Sequence, residues 1–550
     1  MKKNLTVWNL FSVVILAAFA LFIMYPIFLI LYRSVIHGDT GALTLQNFAH
    51  FFAKKFYWGT MVNSLKVTVV STILSAALGL PLAYLMRSVK IKGSSFLNIL
   101  IVISYLSPPF IGAYAWIQML GRQGVITQFL NDTFGLHYGG VYGFAGIVLV
   151  FTLQSFPLVY IYVSGALKNL DNSLNEAAES LGCSRMGRIW KIIVPLVMPT
   201  LLASSMLVFM RVFADFGTPM LIGEGYKTLP VLIYNQFMGE VSGDDGFAAA
   251  ICCIVIGLTI VMFFVQRFLA GRNTYAMTAL KPMAAESLGG LRNILAHLAV
   301  YMVVGLAILP QFVVVYTSFL ATNGGQVFTG GFALQSYDAT LFAKDNDVIW
   351  HTYFLGLCAI AAVLVLGVLI AYLSVRKRNT LNSILDVITM FPFIIPGSVL
   401  GIAFVFAFNK SPIILTGTAL IMIISFAVRR MPYTVRSSTA ILGNISPSIE
   451  EAAISLGASD MTTFRKITVL MMMPGVLSGA IMSWVTIISE LSSSIILYTN
   501  STQTLTVSIY TEVIRGNYGN ASAYATILTV TSILSLLLFY KVTGRRDVSV

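Results

Sequence analysis

The chain carries 21 acidic and 34 basic residues among 550, and those that fall inside apolar stretches are its candidates for chemistry. Arg211 and Asp215 lie four apart near the outer end of one such stretch. Glu490 occupies the place of Asp215 in a second stretch, 275 residues further on. A carboxylate at membrane depth faces a cavity, a cation or a partner, because hydrocarbon does not solvate a bare charge. Arg211 and Asp215 share a helical face, so mutual neutralisation explains them as well as a pathway role does. The position matching Arg211 is Thr486, which leaves Glu490 without that neighbour, among Ser489, Ser492, Ser493 and Ser494. Glu490 is therefore the better pathway candidate. Tyr105, Tyr114 and Trp116 are further candidates to line a path, although aromatic rings also gather at membrane interfaces. His37, His50, His137, His297 and His351 show no ligand spacing. No nucleophile paired with a base and no Cys/His cluster is visible, which sets aside a membrane enzyme and a bound structural metal.

A second signal, two equivalent docking surfaces, is written in a repeat. Ser173-Leu174-Asn175-Glu176-Ala177-Ala178-Glu179-Ser180-Leu181-Gly182 recurs as Ser448-Ile449-Glu450-Glu451-Ala452-Ala453-Ile454-Ser455-Leu456-Gly457. From Asn169 to Pro199 the copies match at 15 of 31 positions without a gap. Ser173 and Glu176, like Ser448 and Glu451, have the spacing of a capping box, and Gly182 and Gly457 sit where a left-handed residue ends a helix. Each segment thus encodes a two-turn helix with both ends specified. Helices that short are marginal in water, so a partner is expected to pack on them, with Ala177, Ala178, Ala452 and Ala453 permitting close approach. Capping alone is the plainer role for Glu176 and Glu451, and the two roles are compatible.

The elements that position these residues are membrane helices. Mean hydropathy is +0.85, 57% of residues are hydrophobic and 10% are charged, which excludes a string of soluble domains. Twelve apolar spans are expected, starting near residues 9, 60, 97, 142, 193, 246, 292, 351, 383, 412, 468 and 522. With the N-terminus inside, 24 of the 34 basic residues fall on the cytoplasmic side, Arg87, Arg376, Lys377, Arg429 and Arg430 among them. That bias places both termini in the cytoplasm and gives the +13 net charge a topological cause rather than nucleic acid. The apolar run to Leu31 is too long for a cleaved signal peptide and reads as a first span. Cys183, Cys252, Cys253 and Cys358 are too scattered for a disulfide framework.

The repeat extends beyond the loop. Gly79 and Ala83-Tyr84-Leu85 are echoed by Gly367 and Ala371-Tyr372-Leu373, and Pro108 by Pro396, all 288 residues on. Thr228-Leu229-Pro230-Val231-Leu232-Ile233-Tyr234 is echoed by Thr504-Leu505-Thr506-Val507-Ser508-Ile509-Tyr510. Two six-helix halves follow, residues 1–270 and 292–550, joined by a cytoplasmic linker over 271–291. An even number of spans between copies gives both the same orientation, with a pathway on their shared axis. Prolines at 108, 109, 392 and 396 interrupt spans three and nine, as backbone lining a cavity or buried by protein permits. The outer acids Asp39, Asp244, Asp245, Asp345 and Asp347 form a rim suited to a basic docking partner.

Glu-Ala-Ala, three residues and Gly, between the fourth and fifth spans of a six-span unit, resembles the coupling loop of binding-protein-dependent ABC importer permeases. The resemblance covers both halves and implies an all-α polytopic membrane protein with the type I ABC importer permease fold. It also implies that Glu176, Ala177, Ala178, Gly182, Glu451, Ala452, Ala453 and Gly457 contact two copies of an ABC ATPase subunit. An external or periplasmic solute-binding protein would deliver the solute at a bacterial inner membrane. A phosphate-binding loop needs Gly-Lys-[Ser/Thr], and Gly-Lys occurs nowhere in the chain. ATP and Mg are therefore expected on the partner subunits, with no cofactor on this one. The fused halves, with Arg211-Val212-Phe213-Ala214-Asp215-Phe216-Gly217-Thr218-Pro219, resemble the ferric-iron importer permeases; similar fused permeases serve thiamine and phosphonate or organophosphate compounds. Two parallel six-span halves also describe the major facilitator class of secondary transporters, whose basic, Asp-containing signature is not matched by Arg87-Ser88-Val89-Lys90-Ile91-Lys92-Gly93.

Overall fold

The computed structural model describes residues 7–36, 41–135, 137, 139–239, 245–271, 285–324, 327–342 and 347–543. Linker residues 272–284, the acids Asp39, Asp244 and Asp345, and both termini lie outside this range. The described chain is helical, with one two-stranded hairpin, Leu320–Asn323 against Val327–Phe332. Nine described helices are long and apolar enough to cross a membrane. The number rises to eleven when two bent pairs each count once: Ser94–Leu106 with Pro109–Phe134, and Thr380–Ile394 with Gly397–Phe408. The bends are 100° and 110° and fall at Pro108 and Pro396, where the sequence places breaks.

The helix Ala419–Asn444 departs from expectation. Residues 412–418 are not helical, and the 26-residue helix that follows carries Arg429, Arg430 and Arg436 within its length. Arg429 and Arg430, counted above on the cytoplasmic side, lie more than two turns inside a helix. The three guanidiniums break its apolar run, which is why it falls outside the nine.

Contacts divide the chain into two compact units. Among the described residues, one comprises 7–53, 233–256 and 335–543, and the other 54–232 and 257–334. Duplication and packing thus partition the chain differently. The helical run Val7–Ser34 packs with second-repeat elements: the Ser12 hydroxyl donates to Asn382 Oδ1 at 2.6 Å, and the Trp8 ring lies 4.7 Å from that of Tyr372. The helix Gly290–Ser318 packs in turn on first-repeat helices Ser94–Leu106 and Pro109–Leu120. Nothing in a repeat pattern encodes this exchange, because both copies of a span offer similar apolar faces.

Inside each unit the repeat returns as a packing rule. A side-chain carbon added at Gly79 would lie 2.7 Å from Val159 Cβ, and one added at Gly367 would lie 2.9 Å from Thr434 Cγ2. Val159 and Thr434 are themselves 275 apart, so the same glycine meets the same aligned position in both units. Helices in lipid associate through close van der Waals packing rather than exclusion of water, and a missing Cβ allows that approach. Gly367→Val is expected to cost about 1–3 kcal/mol through overpacking. A lower thermal midpoint for the detergent-solubilised variant checks this, and an unchanged midpoint contradicts it.

Candidate functional site

The two repeated segments form helices at Ser173–Ser180 and Ser448–Ser455. Their C-termini match expectation. Gly182 has φ +79° and Gly457 φ +91°. Gly182 N–H donates to Glu179 O and Cys183 N–H to Ala178 O, each at 2.9 Å; Gly457 N–H donates to Ile454 O at 2.9 Å and Ala458 N–H to Ala453 O at 3.1 Å. Both are Schellman motifs, in which a left-handed glycine satisfies the last carbonyls.

The N-termini differ from the expected capping box. Helix geometry begins at Ser173 and Ser448, so each serine is the first helical residue and neither side chain caps. Asp171 Oδ1 accepts the Ser173 N–H at 3.0 Å, and Glu176 Oε1 accepts from Asn172 Nδ2 at 3.0 Å. In the second copy Pro447 holds the cap position and Ser446 Oγ accepts the Ser448 N–H at 3.4 Å. Glu176 is half-buried and Glu451 exposed; Ala177 and Ala452 are exposed, Ala178 half-buried and Ala453 buried.

Past each glycine a short turn enters the next helix, capped by Ser184 on Gly187 N and by Ser459 on Thr462 N, both at 3.2 Å. Each of these helices then widens by one π-type turn, Ile189–Ile193 and Phe464–Thr468, again 275 apart. Such turns recur where a helix must be re-aimed for function. The most exposed apolar side chains of the two segments are Leu181 at 87% and Leu456 at 89%, each at the rim beside its left-handed glycine. Leu174 and Met186 extend the first patch, Ile449 and Ile454 the second. An exposed leucine at a helix end fixed by a left-handed glycine thus recurs in both segments.

The copies are anchored differently. Arg376 Nε donates to Glu450 Oε1 at 2.9 Å and its Nη2 to Ile445 O at 2.7 Å, with both side chains at most 12% exposed. This ties the second loop helix to the helix Val348–Arg376. In the first copy Asn175 replaces Glu450, and Arg188 instead pairs with the exposed Glu179 at 2.5 Å. Arg376→Ala is expected to loosen only the second loop helix, by about 1–3 kcal/mol for a broken partly buried, charge-assisted pair. Faster hydrogen exchange over 448–455, with 173–180 unchanged, is the result to look for.

The candidate pathway acids occupy equivalent places. Asp215 Oδ1 accepts the Thr218 N–H at 2.9 Å, and Glu490 Oε1 accepts the Ser493 N–H at 3.2 Å, so each caps the turn that follows its long helix. Arg211 lies over the Tyr105 ring, 4.7 Å from its centre. Tyr114 and Trp116 are buried in the body of their unit, which argues for packing over lining a path. Asp245 pairs with Arg33 at 2.7 Å. Asp347 stands at the start of the helix Val348–Arg376.

Glu490 is the larger surprise. Its side chain is 3% exposed and forms ion pairs with both Arg429 and Arg430, from the helix Ala419–Asn444. Its carbonyl accepts the hydroxyls of Ser494 at 2.9 Å and Thr506 at 2.8 Å. The reading of Glu490 as an acid with no cationic neighbour holds only along its own helix. A signal was present: the 275-residue offset sets Gln154 and Ser155 opposite Arg429 and Arg430, so the second half moves its cations one helix away.

A family model described as the inner-membrane component of binding-protein-dependent transport systems matches residues 75–275 and 363–546. Each matched segment contains one loop helix, one capped acid and one glycine-packed helix pair. The chain belongs to this family. The permease is 30% identical over 546 residues to the ferric transport system permease protein FbpB of Actinobacillus pleuropneumoniae, covering 97% of this chain and 78% of that one. Over 218 residues it is 28% identical to the molybdenum transport system permease protein ModB of Escherichia coli (strain K12), covering 39% and 93%. Over 270 residues it is 26% identical to the putative 2-aminoethylphosphonate transport system permease protein PhnU of Salmonella choleraesuis (strain SC-B67), covering 48% and 92%. Membership makes this an ABC importer permease of the inner membrane and decides against the major facilitator reading.

Proposed function

We propose that this permease forms the membrane passage of an ATP-driven ferric-iron importer. The observation that carries the mechanical part is the pair of matching loop helices, each with a rigid left-handed end and an exposed leucine knob. Two copies of an ATPase subunit, holding ATP and Mg, dock on those helices, and an external binding protein delivers the solute to the opposite face. Glu176, Ala177, Ala178 and Gly182, with Glu451, Ala452, Ala453 and Gly457, form the contact surface. ATP-driven closure of the ATPases moves the loop helices, and the two halves alternate between inward-open and outward-open states. In this reading Ala419–Asn444 completes twelve spans, both termini are cytoplasmic, and Asp215, Glu490, Arg211 and Tyr105 border the passage.

Iron as the solute rests on the likeness to FbpB across 97% of the chain. Deleting the gene in its host is expected to lower uptake of radiolabelled ferric iron on the order of tenfold. Unchanged iron uptake, with uptake of 2-aminoethylphosphonate or thiamine lost instead, would move the permease to another solute.

A further inference from the structure

The broken helix at Pro396 leaves a buried helix N-terminus. The 12-residue helix Gly397–Phe408 starts after a 110° bend, and Pro396 offers its first turn no side-chain acceptor. The first N–H groups of any helix need a partner and carry a partial positive charge. The Arg429 guanidinium is packed against this same turn: a side-chain carbon on Gly397 would overlap its terminal nitrogen and would also crowd Ser492 Cβ at 2.7 Å. A cation at that end of a helix has the wrong sign for the dipole.

Three polar groups here are buried with no hydrogen-bond partner: Ser398 Oγ, Arg429 Nε and Arg430 Nε. Ser398 is fully buried, at 0% exposure. The Glu490 carboxylate is already engaged by both guanidiniums and by Ser493 N–H. Two guanidiniums against one carboxylate leave one positive charge over, to which the helix end adds roughly half a charge. Uncompensated buried charge is costly, and buried donors are ordinarily satisfied.

From this we infer an oxyanion site in the second repeat, built from the first turn of Gly397–Phe408, the Ser398 hydroxyl, and the guanidiniums of Arg429 and Arg430. Forked guanidiniums and bare helix N–H groups suit phosphate, phosphonate and carbonate oxygens, and interrupted helices in transporters aim their N-termini at anionic groups. The first repeat lacks the site. Gln154 stands at the aligned position of Arg429, its amide donates to Pro109 O at 2.8 Å at the corresponding break, and Ser155 replaces Arg430. The oxyanion arrives either free or as a ligand carried on the metal. In the second case, which rests on the iron reading above, ferric iron crosses as an oxyanion complex, because a bare trivalent cation is repelled by the surplus positive charge.

Equilibrium dialysis of the full-length chain in nanodiscs against radiolabelled inorganic phosphate tests the site. One saturable phosphate per chain is expected, weakened about tenfold or more in Arg429→Gln, which copies Gln154, and several-fold in Ser398→Ala. Ser398→Ala removes one buried hydroxyl and keeps every ion pair, so it decides the matter if Arg429→Gln does not fold. No saturable phosphate in the unaltered chain, or equal binding by Ser398→Ala, overturns the site. Radiolabelled iron uptake by the intact transporter keeps the two readings apart. Phosphate bound without iron transport removes the iron reading and leaves the site; iron transport without phosphate bound removes the site and leaves iron.

Discussion

Glu490→Gln is expected to be among the most damaging single substitutions in the chain. It removes the carboxylate that pairs with Arg429 and Arg430, and its side chain is 3% exposed. Breaking a buried ion pair from one side costs about 3–5 kcal/mol, because the remaining charge stays buried without a counter-ion. An exposed pair such as Arg515 with Glu512, where the arginine is 70% exposed, stands at about 0–1 kcal/mol. The comparison gives a test by charge arithmetic. Arg429→Gln keeps Arg430 against Glu490 and is expected to be milder than Glu490→Gln. The double variant Arg429→Gln with Glu490→Gln restores the cluster's net charge of one positive, as in the parent chain, and should recover part of the loss. Thermal unfolding in detergent orders the three, and a Glu490→Gln midpoint equal to that of the parent contradicts a buried ionic cluster.

The second large effect is expected at the loop helix. Glu451→Arg combined with Gly457→Val should leave the chain inserted and folded but lower transport by up to about a hundredfold, the upper range of coupling between sites. Gly457 adopts φ +91°, where a β-branched residue is strained by about 1–3 kcal/mol, so Val re-aims the helix end beside Leu456. Glu451 is exposed, so reversing its charge leaves the interior packing of the second loop helix in place. ATP hydrolysis by the assembled transporter, measured alongside solute uptake, should persist while uptake falls. Normal uptake by this variant contradicts the role given to the loop.

What could be read from the sequence follows the range over which the information is stored. The loop helices are local, and Gly182 and Gly457 end them as expected because a left-handed residue after two turns is a short-range instruction. Their starts were misplaced by one position, because Asn172 and Pro447 precede the serines and the N–H acceptors come from Asp171 and Ser446. The breaks at Pro108 and Pro396 were legible for the same local reason. The partners of Glu490 were not, since Arg429 and Arg430 are about 60 residues away on another helix and count in the sequence only toward the basic bias of the cytoplasmic side. The exchange of Val7–Ser34 and Gly290–Ser318 between packing units was out of reach altogether, because one apolar helix face resembles another. The pairing of Gly79 with Val159 and of Gly367 with Thr434 lay between these cases: the glycine echo was visible, but its target needed the fold.

The central claim is that both loop helices seat against ATPase subunits. A photo-crosslinking amino acid placed at Leu181, and separately at Leu456, in the assembled transporter tests it most directly. The account predicts a covalent adduct with the ATPase subunit from both positions, and its loss when Gly182 or Gly457 is replaced by Val. Adducts with lipid alone, or none from either position while the complex remains intact, would contradict it.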